Sequence, residues 1–310
     1  MLLKEVLEVY ELLDSSYVVG QDIKDYFDEI YRANCTVKTV AGNNGSTDFI
    51  KLEIPGSHGK KQGGSAPSLL IIGRLGGIGA RPSITGFVSD GDGALAVLSL
   101  ASKILKMKLR GDHLQGDIVI TTHIAPHAPT IPHEPVSFMG SPVDMEIMNQ
   151  NEVVGDFDAV LSVDTTKGNN IINYNGFSIS PTIKSGYILK TSDDCLKIME
   201  RVTGKRPSAF AVAHQDLTPY GNGVHHLNSI LQPSVITEKP VIGVAITSQS
   251  IVPGSATETT NPYVIEECSR FLLAVAKEYG MGKINFYDKI EYERLVELYG
   301  DLTRFQGKGV

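Results

Sequence analysis

The sequence lacks the features that mark secreted, membrane-spanning and nucleic-acid-binding proteins. It has only three cysteines, Cys35, Cys195 and Cys268, and no Cys-x-x-Cys pair, so we expect reduced, mostly buried thiols in a cytoplasmic protein. The net charge of -7 disfavours nucleic acid and anionic membranes as partners, because both attract basic surfaces. The longest apolar runs are too short to span a bilayer, and the first residues lack the uninterrupted apolar region of a signal peptide.

Two common catalytic and cofactor-binding motifs are also missing. A serine-hydrolase elbow requires Gly-x-Ser-x-Gly between a strand and a helix, and the chain has no such segment. The glycine-rich stretch 73–79 follows an apolar segment, but it matches neither the dinucleotide-binding pattern nor the P-loop pattern. We therefore expect no nucleotide cofactor.

Apolar segments and helical patterns alternate along most of the chain. Near-continuous apolar runs predict strands of a parallel sheet that is covered on both faces. These predicted strands are 69–72, 118–121, 159–163, 209–213 and 241–246, preceded by an alternating pair at 36–40 and 49–54. Helical spacing follows, chiefly at 93–108, 144–151, 193–202, 262–279 and 286–299. We predict one α/β domain over residues 1–310, a three-layer αβα fold with a mixed, mostly parallel sheet.

Charged side chains stand at the predicted carboxyl ends of these strands, where open α/β sheets bind ligands. Arg74 follows the first buried strand, and Asp90 and Asp92 precede an apolar helix. Asp164 ends a strongly apolar strand, where an ionised carboxylate needs a metal, a cation or N–H donors. Asp92 is equally explained as a carboxylate that complements the start of the helix, whereas Asp90 lies further out and is better placed to face a ligand.

Histidines form a second group of candidates. His123, His127 and Glu134 lie on a proline-rich stretch after a strand and could converge on a metal, since imidazole and carboxylate both ligate zinc. Their spacing matches no specific metal motif, so a solvated loop explains them equally well. Of the adjacent pair His225 and His226, at most one can face a site, and we take His225 as the candidate.

The order of elements resembles the co-catalytic zinc aminopeptidases, which have the zinc-peptidase-like α/β fold. In this resemblance, residues 68–73 match the strand that delivers the first metal His, and 90–93 match the segment with the bridging metal Asp. Residues 158–164 match the strand that ends in another metal Asp. The chain has no room for the dimerisation domain inserted in some of these relatives. It also resembles, over its whole length, a bacterial and archaeal family of about this size with no assigned function.

Several metal ligands of the zinc aminopeptidases are replaced in this chain. Arg74 stands where the first metal His is expected, and Gly76 and Gly254 stand in place of an Asp and of the final His. Only Asp90 and Asp164 remain. A guanidinium cannot ligate zinc, so Arg74 would instead supply positive charge beside Asp90.

Two functions therefore stay open from the sequence. The first is a hydrolase of a small peptide, amide or amino-acid derivative. It would use a zinc or manganese ion on Asp90, Asp164 and His127, with Glu134 or His123 as a catalytic acid or base.

The second function is metal-free binding of a small carboxylate on the same fold. Arg74 and Arg81 would pair with the carboxylate in bidentate fashion, and Asp92 and His225 would contact the rest of the ligand. Both functions imply a small-molecule substrate, and the sequence leaves open whether the chain forms a homo-oligomer.

Overall fold

The computed structural model describes residues 1–15, 17–74, 87–125, 128, 130–132, 138–166, 168–249 and 260–307. The α-helices of these residues are α1 (Leu3–Leu13), α2 (Gly20–Tyr31), α3 (Asp92–Leu109), α4 (Met145–Glu152), α5 (Asp193–Thr203), α6 (Pro262–Gly280) and α7 (Lys289–Tyr299). The strands are β1 (Asn34–Gly42), β2 (Gly45–Ile54), β3 (Leu69–Gly73), β4 (Ile118–Ile124), β5 (Thr130–Ile131), β6 (Phe138–Met139), β7 (Ala159–Thr166), β8 (Gly176–Ile179), β9 (Ile183–Lys184), β10 (Tyr187–Ile188) and β11 (Val241–Thr247).

Within the described residues, one large sheet has the strand order β1-β2-β4-β3-β7-β11-β9-β10, and β8 also pairs with β11. The four central strands β4, β3, β7 and β11 are parallel. Strands on both sides of them are antiparallel, and β5 and β6 form a separate small ribbon. The predicted α/β class with a mixed sheet that is mostly parallel in its core is confirmed.

The central strands are buried on both faces, which explains their unbroken apolar sequences. Alternate residues of β3 show this: Leu69 and Ile71 join the main core with α1, α2, α3, α5 and α6. Leu70 and Ile72 point to the other face and pack near Val153, which follows α4. That second face also carries 3-10 turns at residues 214–217 and 232–235. A complete second helix layer, and a single domain over the whole chain, stay predictions.

The chain reverses its direction across the sheet between β3 and β7. It leaves β3 through α3 to reach β4 on one side, and then passes through α4 to β7 on the other side of β3. Right-handed crossovers in opposite directions place their helices on opposite faces, as observed for α3 and α4. The carboxyl ends of β3 and β7 thus form a topological switch point, which is where α/β sheets bind ligands.

The sheet differs from the sequence prediction beyond β11. The predicted strand at 209–213 is wrong, because only Ala209 makes a single bridge, to Ile179. Short antiparallel strands β8 and β9 occupy the edge of β11 instead.

The three cysteines are buried and form no disulfide. Burial raises the pKa of Cys35 and of Cys195 to about 12, so neither thiol is a ready nucleophile. Among the described helices, none combines the length and the apolar character needed to cross a membrane.

Candidate functional site

The start of α3 lies directly against the ends of β3 and β7. A Cβ atom added to Gly93 would lie 2.5 Å from the carbonyl oxygen of Arg74 and 2.7 Å from that of Val163. One added to Gly73 would lie 2.5 Å from the carbonyl oxygen of Gly93. Only glycine permits this approach. It brings Asp90, in the turn just before α3, to the switch point.

Asp90 and Asp164 are a pair of buried acids at this edge, with 8% and 2% of their surfaces exposed. Asp164 accepts hydrogen bonds from the Thr165 backbone N–H at 2.7 Å and from the Ser229 hydroxyl at 3.3 Å. Burial raises the pKa of Asp164 to about 8; the charge of Arg74 opposes this rise and the charge of Asp90 adds to it. At neutral pH this carboxyl group therefore keeps a proton unless a cation binds beside it.

The guanidinium of Arg74 lies along one face of α4. Its Nη2 donates to Asn149 Oδ1 at 2.9 Å, contacts Met145 Sδ at 3.3 Å and lies 3.0 Å from Glu152 Oε2. These three residues are spaced i, i+4 and i+7, so they project from the same side of the helix. On its other side, Nη1 donates to the Ser229 carbonyl oxygen at 3.3 Å.

These contacts argue against the predicted role of Arg74 as a ligand for a substrate carboxylate. Only 1% of its surface is exposed, and a substrate would have to displace Asn149 and Glu152 from it. The charge of Arg74 instead opposes the rise in the pKa of Asp164, and its role beside Asp90 stays a prediction.

Glu152 joins Arg74 to His123. Its Oε1 lies 2.8 Å from Nδ1 of His123, and both side chains are buried. Its Oε2 meets Arg74 as an ionic contact and has no hydrogen-bond partner among the described residues. Burial alone would raise the pKa of Glu152, but the charge of Arg74 and the hydrogen bond with His123 together lower it below its usual value. Glu152 is therefore an ionised carboxylate that bridges two partners.

His123 and Asp90 line the same small cavity, together with Ala125, Ala128, Met139, Gly140, Ser141 and Pro142. The imidazole ring packs against Phe49, with ring centroids 5.6 Å apart. The structure thus brings His123, predicted as a catalytic residue, to the edge that carries the acids.

A groove with a volume of about 620 Å³ runs between α4 and the loop 219–222. Tyr220 forms part of its wall and contacts Ser229, which in turn donates to Asp164. Burial and the charge of Asp164 raise the pKa of Tyr220 to about 12. His226 stacks on Tyr220 with centroids 4.3 Å apart, whereas the predicted candidate His225 is exposed on the same loop.

The remaining predicted site residues fall in two groups. Asp92 is in the first turn of α3, and its carboxylate accepts a hydrogen bond from the hydroxyl of Thr260, just before α6. Arg81, His127 and Glu134 lie outside the described residues, so their roles stay predictions.

The fit to a metal ion is partial. In the ranges that the structure describes, no three side chains of ligand type cluster closely enough to hold a metal. Asp90 and Asp164 nevertheless supply two buried carboxylates at the same edge of the sheet. A complete site would need at least one further ligand, for which His127 is the predicted candidate.

Four site residues were not found from the sequence: Asn149, Glu152, Tyr220 and Ser229. The spacing of polar Asn149 and Glu152 on α4 is a usable signal, because it places both on the face that covers the sheet. Nothing in the sequence marks Tyr220 or Ser229.

A family model described as "Protein of unknown function (DUF1177)" matches residues 38–309, which include strands β2 to β11, part of β1 and all described residues of the site. The chain belongs to the DUF1177 family. A search of curated proteins finds no match to this DUF1177 protein.

Two solved structures are similar to this DUF1177 protein in fold. "Bottromycin maturation enzyme BotP in complex with Mn" has a TM-score of 0.53 at 12% identity, covering 88% of this chain and 70% of that one. Cytosol aminopeptidase from Coxiella burnetii has a TM-score of 0.50 at 13% identity, covering 89% and 68%. At such low identities the likeness shows a peptidase-like fold, as the sequence resemblance implied, and nothing about activity.

Proposed function

We propose that this DUF1177 protein hydrolyses a small peptide, amide or amino-acid derivative with the help of a divalent cation, zinc or manganese, bound at Asp90 and Asp164. The observation that carries the proposal is the burial of these two carboxyl groups together at the switch point of the sheet. Two buried acids close enough to repel each other favour a proton or a cation between them. In peptidase-like folds, such a cation polarises a carbonyl group or lowers the pKa of a water molecule.

The chain's own residues have distinct tasks in this proposal. Asp90 and Asp164 hold the charge at the end of the sheet, and His123 accepts or returns a proton in the cavity it shares with Asp90. His127 completes the ligands, and Glu134 is a second proton-transfer group. Relative to the co-catalytic zinc aminopeptidases, the site is degenerate.

The groove between α4 and the loop 219–222 is the proposed substrate site. Its wall combines apolar side chains, among them Met145, Val235 and Ile236, with polar amides such as Gln232. Apolar walls with a few fixed polar groups suit a short peptide or an acylated amine. Arg81, Asp92 and His225 stay proposed substrate contacts.

The test is metal content and activity of protein purified without a tag or chelator. We expect about one equivalent of zinc or manganese in the wild type, and its loss in Asp90→Asn and in Asp164→Asn. Asp156→Asn is the matched control, because Asp156 is an exposed partner of Lys60. Release of amino acids from a panel of dipeptides and aminoacyl amides should follow the metal content.

The proposal fails if the wild type neither contains nor binds either ion in calorimetric titration. Hydrolysis that persists after chelation, yet is lost in both Asp variants, would instead indicate a metal-free acid pair.

A further inference from the structure

We propose that Glu152 is a positioning residue that fixes the tautomer and the orientation of His123. The role in catalysis rests on the proposed function, whereas the tautomer is a property of the folded protein and can be tested alone. The inference depends on the Arg74–Glu152–His123 chain, which links the end of β3, the last residue of α4 and β4.

The hydrogen-bonding chemistry of Glu152 decides where the proton of His123 lies. An ionised carboxylate only accepts hydrogen bonds, so the imidazole nitrogen 2.8 Å from Oε1, Nδ1, must carry the proton. When the ring carries a single proton, its lone pair is therefore on Nε2, across the ring from Glu152. Since His123 and Asp90 line the same cavity, we assign this acceptor to the proposed site.

Arg74 keeps Glu152 in the form that this arrangement requires. Its Nη2 lies 3.0 Å from Oε2, and the same nitrogen donates hydrogen bonds to Asn149 Oδ1 and Met145 Sδ. The two oxygens of Glu152 are thus divided between a cation and an imidazole, unlike a bidentate Arg–carboxylate pair, which would use both. Thr121 also holds the backbone of Glu152 in place, since its hydroxyl donates to the Glu152 carbonyl oxygen at 2.8 Å.

The variant Glu152→Gln distinguishes a role in positioning His123 from a role only in stabilising the fold. Glutamine has one oxygen and one NH₂ group in place of two oxygens. The Arg74 cation favours the oxygen on its side, so the NH₂ group faces His123 and donates to Nδ1. The imidazole proton must then move to Nε2, and the acceptor at the site is lost. In the same way, replacing the carboxylate of a Ser-His-Asp triad by an amide gives the wrong tautomer and a large loss of rate.

Long-range ¹H–¹⁵N correlation spectra of the imidazole rings report the tautomer directly, and a His123→Asn variant assigns the signal. We expect a proton on Nδ1 in the wild type and on Nε2 in Glu152→Gln. A proton on Nε2 in the wild type, or an unchanged tautomer in Glu152→Gln, would overturn the inference. If Glu152→Gln does not fold, Glu152→Asp serves instead: it should keep the proton on Nδ1, and a proton on Nε2 would again overturn the inference.

The matched control is Glu266→Gln. Glu266 is also a buried glutamate that pairs with an arginine, Arg270, at 2.8 Å, but it lies on α6 and accepts from the Leu2 backbone N–H. We expect the control to lose stability yet keep the tautomer and the turnover number. Glu152→Gln should lose about 10²–10⁴-fold in kcat with little change in KM. A wild type that hydrolyses nothing would defeat the proposed function and leave the NMR result to decide the role of Glu152.

Discussion

At the scale of single residues, the site contains two buried groups in opposite situations. Arg74 forms a direct ion pair with Glu152, whereas the hydrogen bonds to Asp164 among the described residues come from neutral donors, and Asp90 adds a second acid nearby. The first situation stabilises the folded chain once both charges are buried. The second disfavours the charged form of Asp164 and is the kind of arrangement that proteins keep at functional sites.

The pH dependence of the free energy of unfolding should reveal the raised pKa of Asp164. Without metal, folded Asp164 keeps its proton up to about pH 8, whereas the unfolded chain loses it near the ordinary value of 3.8. Between these values the folded state binds more protons, so the free energy of unfolding falls as pH rises. We expect Asp164→Asn to be more stable than the wild type at about pH 8 in urea denaturation with chelator, with a smaller gain at about pH 5.

Asp158→Asn is the control of opposite sign. Although burial opposes it, hydrogen bonds from the Ser68 backbone N–H and Lys60 lower the pKa of Asp158, so removing its charge should destabilise the protein. An Asp164→Asn variant that is less stable than the wild type at both pH values would contradict the analysis.

Replacing Arg74 should destabilise the folded protein, because Glu152 loses its cationic partner. Arg74→Met leaves Glu152 buried without a cation, and breaking such a pair typically lowers the free energy of unfolding by about 3–5 kcal/mol. Arg270→Met removes a guanidinium that is about one-third exposed, and we expect a loss of about 1 kcal/mol or less. Urea denaturation midpoints measure the stability of both variants. Equal losses of stability would show that Arg74 contributes no more than a partly exposed arginine.

At the scale of elements, the local sequence predicted the helices and the central strands well. Strands β3, β4, β7 and β11 are unbroken apolar runs because both faces are covered. Asn261 caps α6 through hydrogen bonds to the next turn, and Gly204 ends α5 in the left-handed conformation, as such residues usually do. Strands of two to four residues, such as β8–β10, carry too little periodicity to be recognised.

The site was predictable only where it depends on strand ends. Asp164 and Arg74 follow buried runs, so their common edge follows from the parallel sheet. The contact of Arg74 with Glu152 depends on how α4 packs on the second face of the sheet. The two residues are 78 positions apart, so no local sequence pattern predicts that they meet. The sequence alone therefore placed Arg74 with the acids and missed its main partner.

The contact of α3 with the strand ends gives a prediction at this scale. A methyl group on Gly93 would collide with two backbone oxygens that cannot move independently of β3 and β7. We expect Gly93→Ala to lower the free energy of unfolding by about 1–3 kcal/mol and to weaken metal binding through displacement of Asp90. Gly307→Ala is the control, because its new Cβ atom would lie 3.6 Å from the Arg304 carbonyl oxygen, an ordinary van der Waals contact. Equal urea midpoints for the two variants would contradict the close approach.

At the scale of the whole molecule, one sheet joins segments from residue 34 to residue 247. The C-terminal part is tied to it by the Tyr187 hydroxyl, which donates to the Gly300 carbonyl oxygen at 2.5 Å. The Thr182 hydroxyl donates likewise to the Phe286 carbonyl oxygen at 2.6 Å.

We therefore expect one cooperative unfolding transition, consistent with a single domain. Differential scanning calorimetry of metal-free protein should give one endotherm whose calorimetric and van't Hoff enthalpies agree. Two resolved endotherms would divide the chain into separate folding units.

The ion pair of Arg74 and Glu152 also has a consequence for the life of the protein in the cell. Its positive charge belongs to a side chain of the protein, so we expect this buried part of the chain to fold without an ion from the surroundings. Under the proposed function, cells starved of zinc or manganese would accumulate folded but inactive molecules that regain activity when the metal returns, whereas proteins that fold around zinc would be degraded.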